Sequence, residues 1–170
     1  MLEILVIFLS FNIIEISFAS DHSDRDDMNY IIDNIYLGNK VAADNEELLK
    51  EHGITHVINC ANSINSRYKS LRFLTLSMHD VPEQKIFPKF DIGYKFIKAN
   101  SKGENKIYIH CYEGTSRSAS LVIYYIMREK EWDYDKSYEY VKSKRPWIRP
   151  NKGFRKQLRE YSDKHFKKKN

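Results

Sequence analysis

Ile107-Tyr-Ile-His-Cys-Tyr-Glu-Gly-Thr-Ser-Arg-Ser118 runs directly into Ala119-Ser-Leu-Val-Ile-Tyr-Tyr-Ile-Met127, and the reading of this junction decides the fold. β-Branched and aromatic residues lead up to Cys111, a short segment carries Gly114 and Arg117, and an apolar run follows, so the expected order is strand, loop, helix. Leu121 to Met127 is apolar all round, which fits a helix buried inside the domain rather than lying on its surface. A loop at such a junction is an anion cradle. Backbone N–H groups of residues 112–117 can turn into it, and the helix N-terminus adds unpaired donors and the positive end of its dipole. Gly114 lacks Cβ and permits a tight curl. Arg117, six positions after Cys111, brings a planar fork of donors suited to two oxygens of a phosphoryl group. Cys111 at the floor sits in that positive field, which favours thiolate, the nucleophilic form, without a general base.

His110-Cys111, five residues, then Arg117-Ser118 resembles the signature of cysteine-dependent protein phosphatases. Glu113-Gly114 with Ser116-Arg117-Ser118 resembles the dual-specificity subfamily. Ile35-Tyr-Leu-Gly38, Gly53-Ile-Thr-His-Val-Ile-Asn59, Asp80 and Arg145-Pro-Trp-Ile-Arg-Pro-Asn-Lys-Gly-Phe-Arg-Lys-Gln-Leu158 resemble segments of the same family in the same order. The resemblance spans residues 28–165, and several ordered matches are more specific than one motif.

The resemblance implies two-step hydrolysis through a phosphocysteine, with no cofactor and no metal. Cys111 is then the nucleophile, while Arg117 and the loop of Tyr112, Glu113, Gly114, Thr115 and Ser116 hold the phosphoryl oxygens. Asp80 takes the place of the acid that protonates the leaving oxygen and later serves as base; a plain turn residue before Val81-Pro82 is the structural alternative. Ser118 is a helix-capping hydroxyl on its residue type alone, and by resemblance a donor to the departing sulfur. His110 is implied to be a buried organiser behind the loop. Cys60 reads as a small buried hydrophobe, and by resemblance to some relatives, notably a lipid phosphatase, as a reversible disulfide partner of Cys111. The implied substrates are phosphorylated proteins, reached through a shallow site that admits both phosphotyrosine and phosphoserine or phosphothreonine, with no nucleic-acid partner. Relatives acting on RNA 5′-phosphates or phosphoinositides, and a phosphoprotein-binding scaffold without turnover, are the competing readings.

At 170 residues, 42% hydrophobic and 14% aromatic, the chain is long enough for one domain with a real core. The two cysteines make no disulfide framework for a secreted domain and fit reduced thiols, hence a cytoplasmic location. The net charge of +5 is uneven: residues 142–170 hold twelve Lys or Arg against two acids, a local +10, leaving −5 for the rest. That basic surface is either a solvated helical face or a region that steers phosphorylated or other anionic partners.

Three segments follow in order: an apolar leader and polar linker at 1–27, the catalytic domain at 28–165 and a basic tail at 166–170. Residues 1–20 are apolar and end in small residues, as a signal peptide or membrane anchor would, yet Glu3, Asn12 and Glu15 interrupt the pattern. Secretion or membrane contact through this leader and an unremarkable leader both stay open. Tyr30–Leu37 predicts two short strands around Asp33-Asn34, and Gly38-Asn39 opens a helix to about Glu51 with Gly53 as its stop. Ile54–Asn59 and Leu71–Leu76 predict strands. Helical spacing of Phe87, Phe90, Tyr94 and Ile97 puts Asp91 on a solvent side. Lys106–His110 is the strand under the loop, Asp133 caps a further helix, and the last helix begins near Pro150-Asn151 and runs to Lys167–Lys169. Alternating strands and helices give an α/β domain: a central mixed sheet of four to five strands flanked by helices, with the phosphate-binding loop between a strand and a buried helix.

Overall fold

The structure, a computed structural model, describes residues 27–62 and 68–166. The strands are β1 (Met28–Ile32), β2 (Ile35–Gly38), β3 (Ile54–Ala61), β4 (Arg72–Met78) and β5 (Lys106–His110). The helices are α1 (Lys40–Ala43), α2 (Glu46–Glu51), α3 (Phe87–Asn100), α4 (Arg117–Lys130), α5 (Tyr134–Lys144) and α6 (Lys152–His165). They build one five-stranded mixed sheet of order β1-β2-β5-β3-β4, antiparallel only between β1 and β2. The two-residue turn joining β1 to β2 places both Asp33 and Asn34 at positive φ, the geometry that suits the twist of a hairpin.

β5 is the middle strand, so the loop that leaves it emerges from the most constrained part of the sheet. Side chains alternate along it: Tyr108 joins the smaller core with Ala42, Ala43, Leu49, Ile54 and Val57, while Ile107, Ile109 and Cys111 face the larger core. α4 fills that larger core. Ser118 to Met127 are all buried, as its all-round apolarity predicts. Each fully buried Leu, Val or Ile there contributes roughly 1.5–3 kcal/mol relative to exposure, which gives the loop a rigid base. α4 stops at Glu131, a left-handed residue at φ 52°.

The segment after Gly38 differs from the single helix expected to Glu51. Asn39 accepts from Ala42 N–H and Asn45 accepts from Leu48 N–H, so two short helices form, each with its own cap. An Asn in mid-pattern competes for the backbone donors and restarts the helix. β3 and β4 also run beyond Asn59 and Leu76, because their parallel pairing continues past a bulge to Ala61 opposite Met78. Asp91 lies in α3 as spaced, but it is not idle in solvent: its carboxylate accepts from Tyr124 hydroxyl (2.6 Å) and Arg128 (2.9 Å), tying α3 to α4. Asp133 caps α5 and Asn151 caps α6 through their side chains. α6 closes at His165. The leader at 1–20, most of the linker and Lys167–Lys169 lie outside the described residues. Among the described residues no helix is long and apolar enough to cross a membrane.

Candidate active site

The loop between β5 and α4 has its carbonyls turned outward, one after another, into the scaffold. Tyr112 O accepts from Lys40 N–H (2.9 Å), Thr115 O from Arg149 N–H (2.7 Å) and Ser116 O from Ser120 N–H (2.8 Å). Glu113 O and Gly114 O both accept from Arg145, at 3.3 and 3.0 Å. In a trans peptide the N–H of the next residue points the opposite way, so tying carbonyls 112–116 outward turns the N–H groups of residues 113–117 inward. Gly114 N–H donates to Cys111 Sγ (3.3 Å). Among the described residues, the N–H groups of Glu113, Thr115, Ser116 and Arg117 have no acceptor in the chain. Gly114 makes the curl at φ 69°, and a Cβ there would collide with the Gly38 carbonyl.

Cys111 is 1% exposed, at the bottom of this ring of donors. A second donor reaches its sulfur from α4: Ser118 hydroxyl, itself fully buried, lies 3.2 Å from Sγ. Ser118 therefore directs its hydroxyl at the sulfur and does not cap the helix.

Arg117 opens α4, anchored by Nη1 to the Met78 carbonyl (3.3 Å) at the end of β4. Its Nε is buried with no hydrogen-bond acceptor, the Asp80 carboxylate standing 3.8 Å away. A buried donor left unmade is costly, and an anion between the N–H groups and the guanidinium would satisfy it. Asp80 is brought to the same place. Its Oδ1 accepts from Ser116 hydroxyl (2.6 Å) and Asn151 Nδ2 (2.8 Å), while Asn151 N–H donates to Ser116 Oγ (3.1 Å). Gly153 lets α6 approach the Pro82 carbonyl so closely that any Cβ would overlap it, which fixes the 80–82 segment against α6.

His110 is buried and stacks on Tyr108 with centroids 5.4 Å apart and planes within 8°. Burial pushes its imidazole down to about 4, so it is neutral at physiological pH, and its Nδ1 meets the Cys111 carbonyl (3.3 Å) rather than the sulfur. Cys60 is fully buried on β3, beside β5, where Asn59 pairs with His110. Burial, then the neighbouring Cys111, push its thiol well up. Both cysteines are free.

The structure thus gathers Cys111, Arg117, Asp80, Ser118 and His110 about one loop, with Cys60 on the adjacent strand end. Two residues with no role in the sequence reading emerge as well. Arg145, 1% exposed, spans Glu113 O, Gly114 O and Asn29 Oδ1 (2.6 Å), with its guanidinium 4.9 Å from the Trp147 ring centre. Asn151 both caps α6 and holds Asp80. Their sequence cues are the family-like Arg145–Leu158 segment and the helix start near Pro150-Asn151, since a buried arginine follows no hydrophobic period.

The family described as "Dual specificity phosphatase, catalytic domain" matches residues 35–164. Protein phosphatase Slingshot homolog 1 of Mus musculus is 36% identical over 132 residues, covering 77% of this chain and 13% of that protein. The chain therefore spans a small part of these longer relatives. Dual specificity protein phosphatase 19 of Mus musculus is 36% identical over 128 residues, covering 75% of the chain and 58% of its own length. Among solved structures, the human tyrosine phosphatase-like serine/threonine/tyrosine-interacting protein is 34% identical with a TM-score of 0.73, covering 79% of this chain and 94% of that one. DUSP15 is 30% identical with a TM-score of 0.76, over 79% and 86%. With these similarities extending across the sheet, the loop and α6, the chain belongs to the dual-specificity phosphatase family, within the cysteine-dependent protein tyrosine phosphatase superfamily.

Proposed function

We propose that the chain hydrolyses phosphotyrosine and phosphoserine or phosphothreonine in proteins through a phosphocysteine. The observation that carries this is the loop whose five successive carbonyls are tied outward, so that its N–H groups and Arg117 converge above a buried sulfur. Cys111 Sγ attacks phosphorus as the bond to the leaving oxygen breaks. Arg117 and the inward N–H groups of residues 113–117 hold the three equatorial oxygens, where charge spreads. Asp80 gives its proton to the leaving oxygen, from a position held by Ser116 and Asn151. Water then attacks the phosphocysteine, Asp80 takes the water's proton, the S–P bond breaks with its electron pair returning to sulfur, and Ser118 donates to the sulfur. His110 and Arg145 support the loop from behind. Charge stabilisation and positioning carry the acceleration.

The test is the pairing of substrate and acid. Asp80→Asn is expected to reduce turnover of phosphotyrosine and phosphothreonine peptides by about 10²–10⁴-fold, and turnover of p-nitrophenyl phosphate much less, because p-nitrophenolate departs with little help. Equal losses on both substrates would remove Asp80 from the acid's role. Peptide binding by the unaltered protein without any turnover would replace the enzyme with a recognition module.

Reversible oxidation belongs to the same proposal. Peroxide converts the Cys111 thiolate to a sulfenic acid, and the Cys60 thiol attacks that sulfur, forming the disulfide and releasing water. Because Cys60 holds its proton firmly, closure is expected to be slow, and it suits a reducing, cytoplasmic setting in which thiols recycle the bond. Peptide mapping after peroxide should find residues 60 and 111 linked, and Cys60→Ser should lose thiol-recoverable activity. Full recovery in that variant would eliminate the pairing.

A further inference from the structure

Asp80 lies in the irregular segment 79–86 between β4 and α3, where Ser116 and Asn151 fix only the end of its side chain. The direction from which that side chain arrives is set by the backbone, and two glutamines hold the backbone. Gln84 N–H donates to Val81 O (3.1 Å), closing a turn over Pro82 and Glu83. The Gln84 side chain then folds back along the segment: Oε1 accepts from His79 N–H (3.2 Å) and Nε2 donates to Lys85 O (2.9 Å). One carboxamide thus draws positions 79 to 85 into a ring that contains Asp80.

Gln157 fastens this ring to α6. Its Nε2 donates to Gln84 O (2.9 Å) and its Oε1 accepts from Ile86 N–H (3.2 Å), a donor at the start of α3 that the helix itself cannot pair. Each of the two carboxamides meets an N–H with its oxygen and a carbonyl with its nitrogen, so a single orientation of each serves. The support is firm, since Phe154 and Leu158 of α6 and Ile86 itself are all fully buried. α6 therefore grips the acid twice, at its carboxylate through Asn151 and at its backbone through Gln157.

Resting on Asp80 as the acid, we propose that Gln157 is a positioning residue for proton transfer, acting through Gln84 on the backbone that carries Asp80. Among the described residues neither glutamine bonds to the loop at 111–117. Their effect falls on the bond to the leaving oxygen and not on the holding of the phosphoryl group. Proton transfer requires donor and acceptor within hydrogen-bond reach, and a misplacement of about 1 Å costs on the order of 10²-fold.

The experiment measures kcat/KM, which covers the steps up to the phosphocysteine, for p-nitrophenyl phosphate, a phosphotyrosine peptide and a phosphothreonine peptide. Gln157→Leu keeps similar volume and loses both hydrogen bonds. The loss should grow with the basicity of the leaving oxygen: less than about threefold on p-nitrophenyl phosphate, about tenfold on phosphotyrosine and about 30–100-fold on phosphothreonine. Gln84→Leu should give the same order and decides the matter alone if Gln157→Leu does not fold. Gln84→Glu keeps an acceptor for His79 N–H and should recover part of the phosphothreonine activity. In the Asp80→Asn protein, Gln157→Leu should add less than about twofold, because the group it positions is gone. Peptide affinity, titrated calorimetrically in the Cys111→Ser protein, should change by less than about twofold on Gln157→Leu.

A helix that is merely destabilised loses all three substrates together, so equal losses in Gln157→Leu and Gln84→Leu would overturn the positioning role. A selective loss that persists undiminished in Asp80→Asn would overturn it as well, since it would act through another group. If Asp80→Asn is selective for the basic leaving groups and the glutamine variants are not, this inference falls and the acid stands. If Asp80→Asn costs all three substrates equally, the acid falls and the inference with it.

Discussion

Cys111→Ser is expected to cut hydrolysis of phosphotyrosine peptides by at least ~10⁴-fold while leaving their binding unchanged or tighter. A serine hydroxyl stays protonated at neutral pH, and among the described residues no side chain accepts a hydrogen bond from position 111. His110 is the adjacent candidate, but its ring is buried, and its Nδ1 is directed at the Cys111 carbonyl instead of the side chain. Ser118 donates towards the sulfur and is no base at neutral pH. Binding, by contrast, rests on Arg117 and the inward N–H groups, of which the substitution alters only the contact of Gly114 N–H. The proposed attack requires a thiolate beneath a dianion, and removing it relieves that repulsion. Calorimetric titration with the peptide beside a phosphate-release assay separates the two quantities. Retention of more than a tenth of the turnover would mean that the sulfur is not the nucleophile.

Arg145→Met carries the second largest effect, although Arg145 has no place in the reaction itself. Among the described residues its guanidinium alone donates to the Glu113 and Gly114 carbonyls, and it reaches Asn29 on β1 as well. Methionine fills similar space but leaves buried acceptors unmade, so a loss of roughly 2–4 kcal/mol in stability is expected. With those carbonyls released, the peptide planes behind them can rotate and the inward N–H groups lose their aim. Turnover should fall on the order of 10²-fold even well below the melting temperature. Arg145→Lys should recover part of the stability and little of the turnover, because an ammonium cannot serve both carbonyls in fork geometry. Thermal melts with kcat measured at low temperature check this. Wild-type turnover in a destabilised Arg145→Met protein would restrict Arg145 to a structural role.

Much of the fold was legible because its signals are local. β5, the loop and α4 follow from β-branched residues, a glycine-bearing turn and a long apolar run, and the caps Asp133 and Asn151 lie where helices begin. The break between α1 and α2 was missed although Asn45 stood in the pattern, since an Asn within a helix and an Asn capping a new one look alike until the backbone chooses. Asp91 looked like a solvent residue because its partners, Tyr124 and Arg128, lie more than thirty residues away.

By itself the sequence determined the chemistry on offer: a cysteine and an arginine six apart at a strand–helix junction, an aspartate upstream and a basic stretch at residues 142–170. Those are spacings along one chain, and the covalent backbone enforces them. Only the tertiary structure decided how the loop is held and what faces it. Arg145 reaches the carbonyls of Glu113 and Gly114 across some thirty positions, Asn151 reaches Asp80 across seventy-one, and Gly153 admits the close approach of Pro82. Such contacts are set by the packing of α4, α5 and α6 against a central strand, where buried polar groups must find partners whatever their distance in sequence.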